Sequence, residues 1–232
     1  MGCCGLTKYG RRELIISTAA FVIVVAALGW LSRAVCPWAI ALGVVPLVLW
    51  VWVLSFFRDP FRRPPDDAGM LVSPADGRVT DITPVGADSP LGAEGVRVGI
   101  FMSVFNVHVN RSPAEGTVES IEHHDGAFLD ARDPAASERN ESATIRMRHT
   151  RGGVQYPIVV RQIAGFIARR IVTDLTQGRK LARGERIGMV KFGSRLEMLV
   201  PRDLVGEVCV RIGDRVRAGE TPLVAAATGD TE

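Results

Sequence analysis

Three short stretches hold the side chains best suited to chemistry. Asp76 lies in Val72-Ser73-Pro74-Ala75-Asp76-Gly77, His108 in Phe105-Asn106-Val107-His108-Val109-Asn110-Arg111, and Ser194 in Phe192-Gly193-Ser194-Arg195. A carboxylate, an imidazole and a hydroxyl form a nucleophile set if they meet in space. The imidazole can take the hydroxyl proton, while the carboxylate holds its tautomer and stabilises the imidazolium. The order Asp, His, Ser is no obstacle, because such sets recur in several chain orders. Gly193 adds a second possibility. It has no side chain, so its carbonyl can be approached closely, and the Ser194 hydroxyl can fold back onto it. Each stretch also has a plain reading. Gly-Ser and Asp-Gly pairs are common turns, and a lone His in an apolar run is more often structural.

The segments that must carry these residues read as short strands. From Met70 onward, β-type runs are punctuated by Gly, Pro and Asp, as in Gly77-Arg78-Val79-Thr80-Asp81-Ile82 and Val96-Arg97-Val98-Gly99-Ile100-Phe101-Met102. This spacing predicts a mainly β (α+β) domain of antiparallel strands with few short helices. Helices are expected only over 135–140 and 171–181. The stretch from Val208 to Glu220 reads as strand–turn–strand, similar to half of a biotin- or lipoyl-type carrier module. No modified Lys is placed there, so only the architecture is carried over. Lys191 and Arg195, beside the Gly-Ser pair, read as solvated charges, and His123 and His124 as surface residues.

A different composition precedes this domain. Residues 14–31 and 38–57 are almost wholly apolar, each about the 20 residues that a spanning helix needs. Five residues, Arg33 to Pro37, separate them, enough only for a tight hairpin. Trp30 and Trp38 fit an interfacial belt. Lys8, Arg11 and Arg12 precede the hairpin, and Arg58, Arg62 and Arg63 follow it, so both ends are expected on the cytoplasmic side. The second run is not explained by a cleaved signal peptide, and a buried core hairpin would be odd in a domain this size. The expected organisation is a membrane hairpin over 1–57, with helices at about 14–32 and 38–57, spanning or re-entrant. A catalytic domain over 58–232 follows. Residues 58–67 form a Pro-rich linker whose arginines would lie at an anionic leaflet surface.

Charge agrees with this division. Residues 1–63 hold seven Lys or Arg against two Asp or Glu, and the remainder 21 against 23, so nothing points to nucleic acid. The four Cys, at positions 3, 4, 36 and 209, form no metal-ligand or disulfide framework, which suggests a reducing compartment. No metal is expected. Leu6 breaks the N-myristoylation pattern, and thiol acylation of Cys3 or Cys4 stays open.

Taken together, Phe57-Arg58-Asp59-Pro60, Ser73-Pro74-Ala75-Asp76-Gly77-Arg78-Val79, Phe105 to Arg111, Gly126-Ala127-Phe128 with Glu138-Arg139-Asn140-Glu141, and Phe192-Gly193-Ser194-Arg195 resemble the phosphatidylserine decarboxylases of the short prokaryotic type. The match covers most of 55–201. The resemblance implies a self-processing proenzyme. Ser194 would attack the Gly193 carbonyl with Asp76 and His108 activating it, and the bond between Gly193 and Ser194 would break. A β chain, 1–193, and an α chain, 194–232, would result as a heterodimer. The residue at 194 would become a covalent pyruvoyl group, the cofactor that draws electrons from phosphatidylserine held in the bilayer. His108 would reprotonate the product, phosphatidylethanolamine. Longer members carry Leu-Gly-Ser-Thr and a second His before the catalytic one; here Arg195 and Phe105 stand at those places. Two other readings remain at this point: a membrane-anchored serine hydrolase using Ser194, His108 and Asp76, and a non-catalytic β module. Archaetidylserine, with the same serine head group, is an alternative substrate.

Overall fold

The structure is a computed structural model that describes residues 5–34, 37–133, 135–166, 171–191 and 193–227. It divides into two compact units, Met1–Phe61 and Arg62–Glu232.

In the first unit the two apolar runs form helices. α1 spans Arg11–Ala34; a 3-10 stretch, Pro37–Gly43, leads into α2, Val44–Phe56. The α-helical part of the second run begins later than position 38. Pro46 explains this, because its missing N–H is harmless only in a first turn, where Val44–Phe56 places it. The stretches Lys8–Ala34 and Trp38–Phe56 are each long and apolar enough to cross a membrane. They pack on one another: the Phe21 ring stacks on Trp50 at 4.8 Å, and Trp50 Nε1 donates to Thr18 Oγ1 at 3.1 Å. The ends of the hairpin are tied by backbone bonds, from Thr7 N to the Phe57 carbonyl at 2.8 Å and from Asp59 N to the Gly5 carbonyl at 2.5 Å.

The second unit is built from strands. They are β1 (Met70–Val72), β2 (Gly77–Val85), β3 (Gly95–Met102), β4 (Val109–Arg111), β5 (Gly116–His124), β6 (Ser142–Arg151), β7 (Val154–Ile163), β8 (Ile171–Val172), β9 (Lys180–Leu181), β10 (Arg186–Val190), β11 (Ser194–Pro201), β12 (Val205–Val208), β13 (Arg215–Val216) and β14 (Pro222–Ala226). Eight of them make one sheet in the order β13-β2-β3-β11-β7-β6-β5-β9, and its pairings are antiparallel. Two three-stranded sheets, β1-β14-β12 and β4-β10-β8, complete the unit. The mainly β, antiparallel class expected from the spacing is what forms. A short helix, α3 (Ala136–Arg139), lies within the expected 135–140.

The stretch 171–181 corrects the expectation: it is β8, a turn and β9. Ile171 and Val172 are β-branched and pair with β10, and Gly178 takes φ +82° in the turn, which no helix interior permits. The stretch after Val208 also differs, since β12 ends there and the chain turns through Arg211 to Asp214 before β13.

Every residue of β11 is buried, and the strand lies between β3 and β7. Arg195 is therefore no solvated charge: its Nε donates to Glu197 Oε1 at 3.0 Å and its guanidinium to Asp81 Oδ2 at 2.5 Å and Thr80 Oγ1 at 3.0 Å. Ser137 Oγ donates to Glu197 Oε1 at 2.7 Å. Removing one member of a buried pair strands the other in a low-dielectric site. Glu197→Ala is expected to destabilise the protein by about 3 kcal/mol, read from urea unfolding midpoints, with Asp81 limiting the loss.

Candidate active site

Ser194 is the first residue of β11, opposite Met102 of β3. Its side chain is fully buried, yet its hydroxyl makes no hydrogen bond among the described residues. Buried hydroxyls nearly always have partners, so an orphan at this point is a chemical signal. Gly193 before it has φ +58°, a left-handed conformation that Gly adopts without strain. Its carbonyl oxygen is packed so closely on Gly165 that a Cβ there would lie 2.0 Å away. Two glycines thus fix the carbonyl next to the hydroxyl: one by its conformation, the other by its missing side chain. Lys191, three residues before Ser194, is also buried rather than solvated.

His108 reaches the same corner through the loop that leaves β3. Ser103 donates from its backbone N–H and its hydroxyl to Asn106 Oδ1, at 2.9 and 2.8 Å, and Asn106 N returns a bond to the Ser103 carbonyl. The closed loop places the Asn106 carbonyl 3.0 Å from His108 Nδ1. A carbonyl only accepts, so Nδ1 carries the hydrogen and Nε2 is left for proton exchange. The expectation gave the setting of this tautomer to a carboxylate; a backbone carbonyl does it. His108 is fully buried, and the Ser194 hydroxyl is not hydrogen-bonded to it. Catalytic hydrogen bonds are often unformed before the reacting geometry is reached.

Asp76 ends the turn between β1 and β2. Its turn partner Gly77 lies so near β3 that a Cβ would come within 2.2 Å of the Phe101 carbonyl, which presses the turn onto the residue before Met102. Asp76 lines a cleft of about 400 Å³ with Ser103 and Asn106, so the Asp76 and His108 segments border one cleft; Ser194 does not line it and is placed by its pairing with Met102. One Asp76 oxygen accepts from the Ala218 N–H at 2.7 Å, the other from Arg62 at 2.9 Å. Arg62 also pairs with Glu220 at 2.7 Å, and its side chain is 10% exposed. This also corrects the expectation: Arg62 was expected at a leaflet surface with the other linker arginines, but its charge is committed to Asp76 and Glu220.

Sequence reasoning missed Arg62, Gly165 and Gln162. Gln162 Nε2 donates to Asn110 Oδ1 at 2.7 Å, Asn110 Nδ2 reaches Met102 Sδ at 3.5 Å, and Gln162 Oε1 is buried without a partner among the described residues. Leu196 is the cross-strand partner of Gln162, so this amide pair lies on the face that Ser194 shares. Only the position of Asn110, two residues after His108, could have hinted at it. Phe192 lies outside the described residues. His123 and His124 are exposed, as expected. Because a Cβ at 165 meets backbone rather than a flexible side chain, Gly165→Ala is expected to cost about 1–3 kcal/mol in thermal or chemical unfolding.

Comparison with known proteins bears on what such a corner does. The family model for phosphatidylserine decarboxylase matches residues 49–224. A phosphatidylserine decarboxylase proenzyme from Chlorobium limicola is 38% identical over 218 residues, which cover 94% of this chain and 98% of the relative. One from Pelobacter propionicus is 46% identical over 178 residues, 76% of this chain and 77% of the relative. A protein named "Putative archaetidylserine decarboxylase proenzyme" from Methanothermobacter thermautotrophicus is 42% identical over 193 residues, 78% of this chain and 83% of the relative. With three quarters of its length matched by the model and relatives aligned nearly end to end, the chain belongs to the phosphatidylserine decarboxylase family.

Proposed function

We propose that the chain is a self-processing, pyruvoyl-dependent enzyme that decarboxylates phosphatidylserine to phosphatidylethanolamine. The observation that carries this reading is the Gly193–Ser194 junction: a buried hydroxyl with no partner among the described residues, directly after a left-handed glycine whose carbonyl is wedged on Gly165. These features suit a residue that reacts with its own backbone, and so they fit the group that such a reaction would leave at position 194.

In this reading Ser194 Oγ adds to the Gly193 carbonyl carbon, and His108 Nε2 takes the hydroxyl proton. The C–N bond breaks as the acyl group passes to oxygen. Loss of the Cα proton at residue 194 then expels the Gly193 carboxylate and leaves dehydroalanine. Water adds to it, ammonia leaves, and a ketone remains at the head of the shorter chain. When formed, the pyruvoyl group supplies the electron sink for decarboxylation. His108, held by Asn106, returns a proton to the substrate Cα after CO₂ has left. Asp76 supports the charged imidazole, with Arg62 and the Ala218 N–H fixing the carboxylate in place. Full burial of Ser194 keeps water from the scissile junction before cleavage.

A serine hydrolase would instead keep the bond between Gly193 and Ser194 intact, and the intact mass distinguishes the two. The products would be a β chain, 1–193, and an α chain, 194–232, forming a heterodimer. The sheet supports that arrangement, because β11 of the shorter piece pairs with β3 and β7 of the longer one, β13 with β2, and β14 with β1. The hairpin over 1–57 would hold the domain over 58–232 at the cytoplasmic face of the cell membrane. Support comes from two helices of spanning length and from the basic residues at both ends of the pair. Archaetidylserine carries the same head group, and one relative is named for it.

Three outcomes test the reading. Intact-mass analysis of purified protein should give two chains divided before residue 194, the shorter with a blocked N-terminus trappable by borohydride. Ser194→Ala should give one uncut chain; normal cutting of that variant would sink the assignment. His108→Ala should mature at least about 100-fold more slowly, the usual scale for losing a positioned base. Maturation at the wild-type rate would remove His108 from the processing step.

A further inference from the structure

One buried acceptor beside Ser194 is left open by the fold. Gln162, on β7, is fully buried, and its Oε1 has no hydrogen-bond partner among the described residues. Its nitrogen donates to Asn110 Oδ1 at 2.7 Å, and Asn110 Nδ2 in turn reaches Met102 Sδ at 3.5 Å. A thioether only accepts, so the Asn110 nitrogen faces it, and the Asn110 oxygen is left to receive the Gln162 nitrogen. That chain of roles fixes the Gln162 oxygen as the unused end. Met102 is the direct partner of Ser194 on one side of β11, and Gln162 is the partner of Leu196 on the other. Asn110 therefore bridges β11 beside Ser194. Ser194 and Gln162 are diagonal neighbours about 7–8 Å apart, a separation that a long side chain covers. The small sheet holds the bridge in place: a Cβ on Gly188, the register partner of Asn110, would lie 3.2 Å from Gln162 Nε2. Buried amides that serve only the fold are satisfied at both ends. Asn140 is one: its oxygen accepts from the Leu129 N–H, and its nitrogen donates to the Leu129 and Ala164 carbonyls. Gln162 departs from that rule next to the reacting residue.

We infer that Gln162 binds the amine of the substrate, its Oε1 accepting an N–H as that nitrogen approaches residue 194, and that Asn110 is the residue that positions it. The inference rests on the decarboxylase reading above. Chemistry supports it in two ways. In the precursor, the Ser194 hydroxyl is a buried donor on this face without a partner among the described residues. Processing carries that oxygen away with the Gly193 carboxylate, and the acceptor stays behind. In a phosphatidylserine head group the carboxylate and the phosphodiester only accept, and the amine alone donates. An open acceptor beside residue 194 thus selects the one substrate group that has to reach that residue. A neutral amide also suits the task better than a carboxylate. A carboxylate would stabilise the ammonium form, which has no lone pair for attack, whereas an amide oxygen holds the N–H with less bias toward the charged form.

Glycerophosphoethanolamine tests this, because it carries the amine without the carboxylate and is not turned over. Full-length wild type, Gln162→Met and Gln162→Glu are brought to complete cleavage. Capture of the amine on residue 194 by cyanoborohydride is then read as a mass increment on the shorter chain. Reduction by borohydride, which brings no amine, is run beside it. For Gln162→Met the half-saturating concentration for capture should rise about tenfold, the scale of one lost hydrogen bond, while the borohydride reaction keeps its rate. For Gln162→Glu the pH at which capture is half-maximal should move upward, because a carboxylate keeps the amine charged to higher pH. Asn110 can turn its amide to donate to that carboxylate, so the pair survives the exchange. Unchanged half-saturation in Gln162→Met overturns the inference, as does an equal fall in both reactions, which would make the amide a prop of the fold. A Gln162→Met chain that is folded by its unfolding midpoint yet stays uncut would move the amide to the processing step and also overturn it. If Gln162→Met does not fold, the Glu variant decides, and an unmoved pH profile refutes the assignment. A wild type with no trappable carbonyl would remove the decarboxylase reading and this inference with it; a wild type that captures the amine leaves that reading standing whatever the variants show.

Discussion

The pairing of β11 between β3 and β7 is the constraint on which the rest of the structure depends. Eight residues of β11 have partners on β3, from Ser194 opposite Met102 to Pro201 opposite Gly95, and five have partners on β7. A backbone so paired cannot slip without turning buried side chains out. Ser194 is the first residue of that ladder, so its position is inherited from the whole strand. The junction before it is left outside the strand in a left-handed glycine, where a carbonyl and a hydroxyl can approach. Rigid on one side and conformationally special on the other, this boundary is where a chain can react with itself and still keep its fold.

The same ladder explains how a cut chain would hold together. Segments after residue 194 supply β11 at the centre of the large sheet, β13 at its edge, and β12 and β14 in the smaller sheet with β1. Side chains cross the junction as well: Arg62 pairs with Glu220, and Asp76 accepts the Ala218 N–H. The proposed acid–base machinery is therefore shared between the two pieces. Asp76 and His108 come from before the junction, while the backbone donor that fixes Asp76 comes from after it. Separating the pieces would dismantle the corner along with the sheet.

Charge is also buried within this unit. On one face of β11, Arg195, Glu197 and Asp81 form a charge network, and Arg97 Nε stands 3.4 Å from Asp81 Oδ1 as an ion pair without a hydrogen bond. Such a network resists register shifts because a slip would strand buried charge.

Much of this was legible in the sequence. Short β-type runs between Gly, Pro and Asp specified an antiparallel β domain, because period-two burial and turn residues act locally. The two apolar runs of spanning length were equally plain, because length and composition are read directly from the residues. The stretches bearing Asp76, His108 and Ser194 stood out because their residue types suit proton transfer and nucleophilic attack. What tertiary structure alone decided were relations between distant positions. Arg62 reads as one of several linker arginines until Asp76 and Glu220 are placed beside it. Arg195 reads as solvated until β3 and β7 enclose its strand. Gly165 carries no signal at all until the Gly193 carbonyl is set against it, and residues 171–181 form strands only because β10 offers a partner to β8 and β5 offers one to β9. Local chemistry is written in residue type and period; burial, partners and close approach are set by segments far apart in sequence, and only packing brings those together.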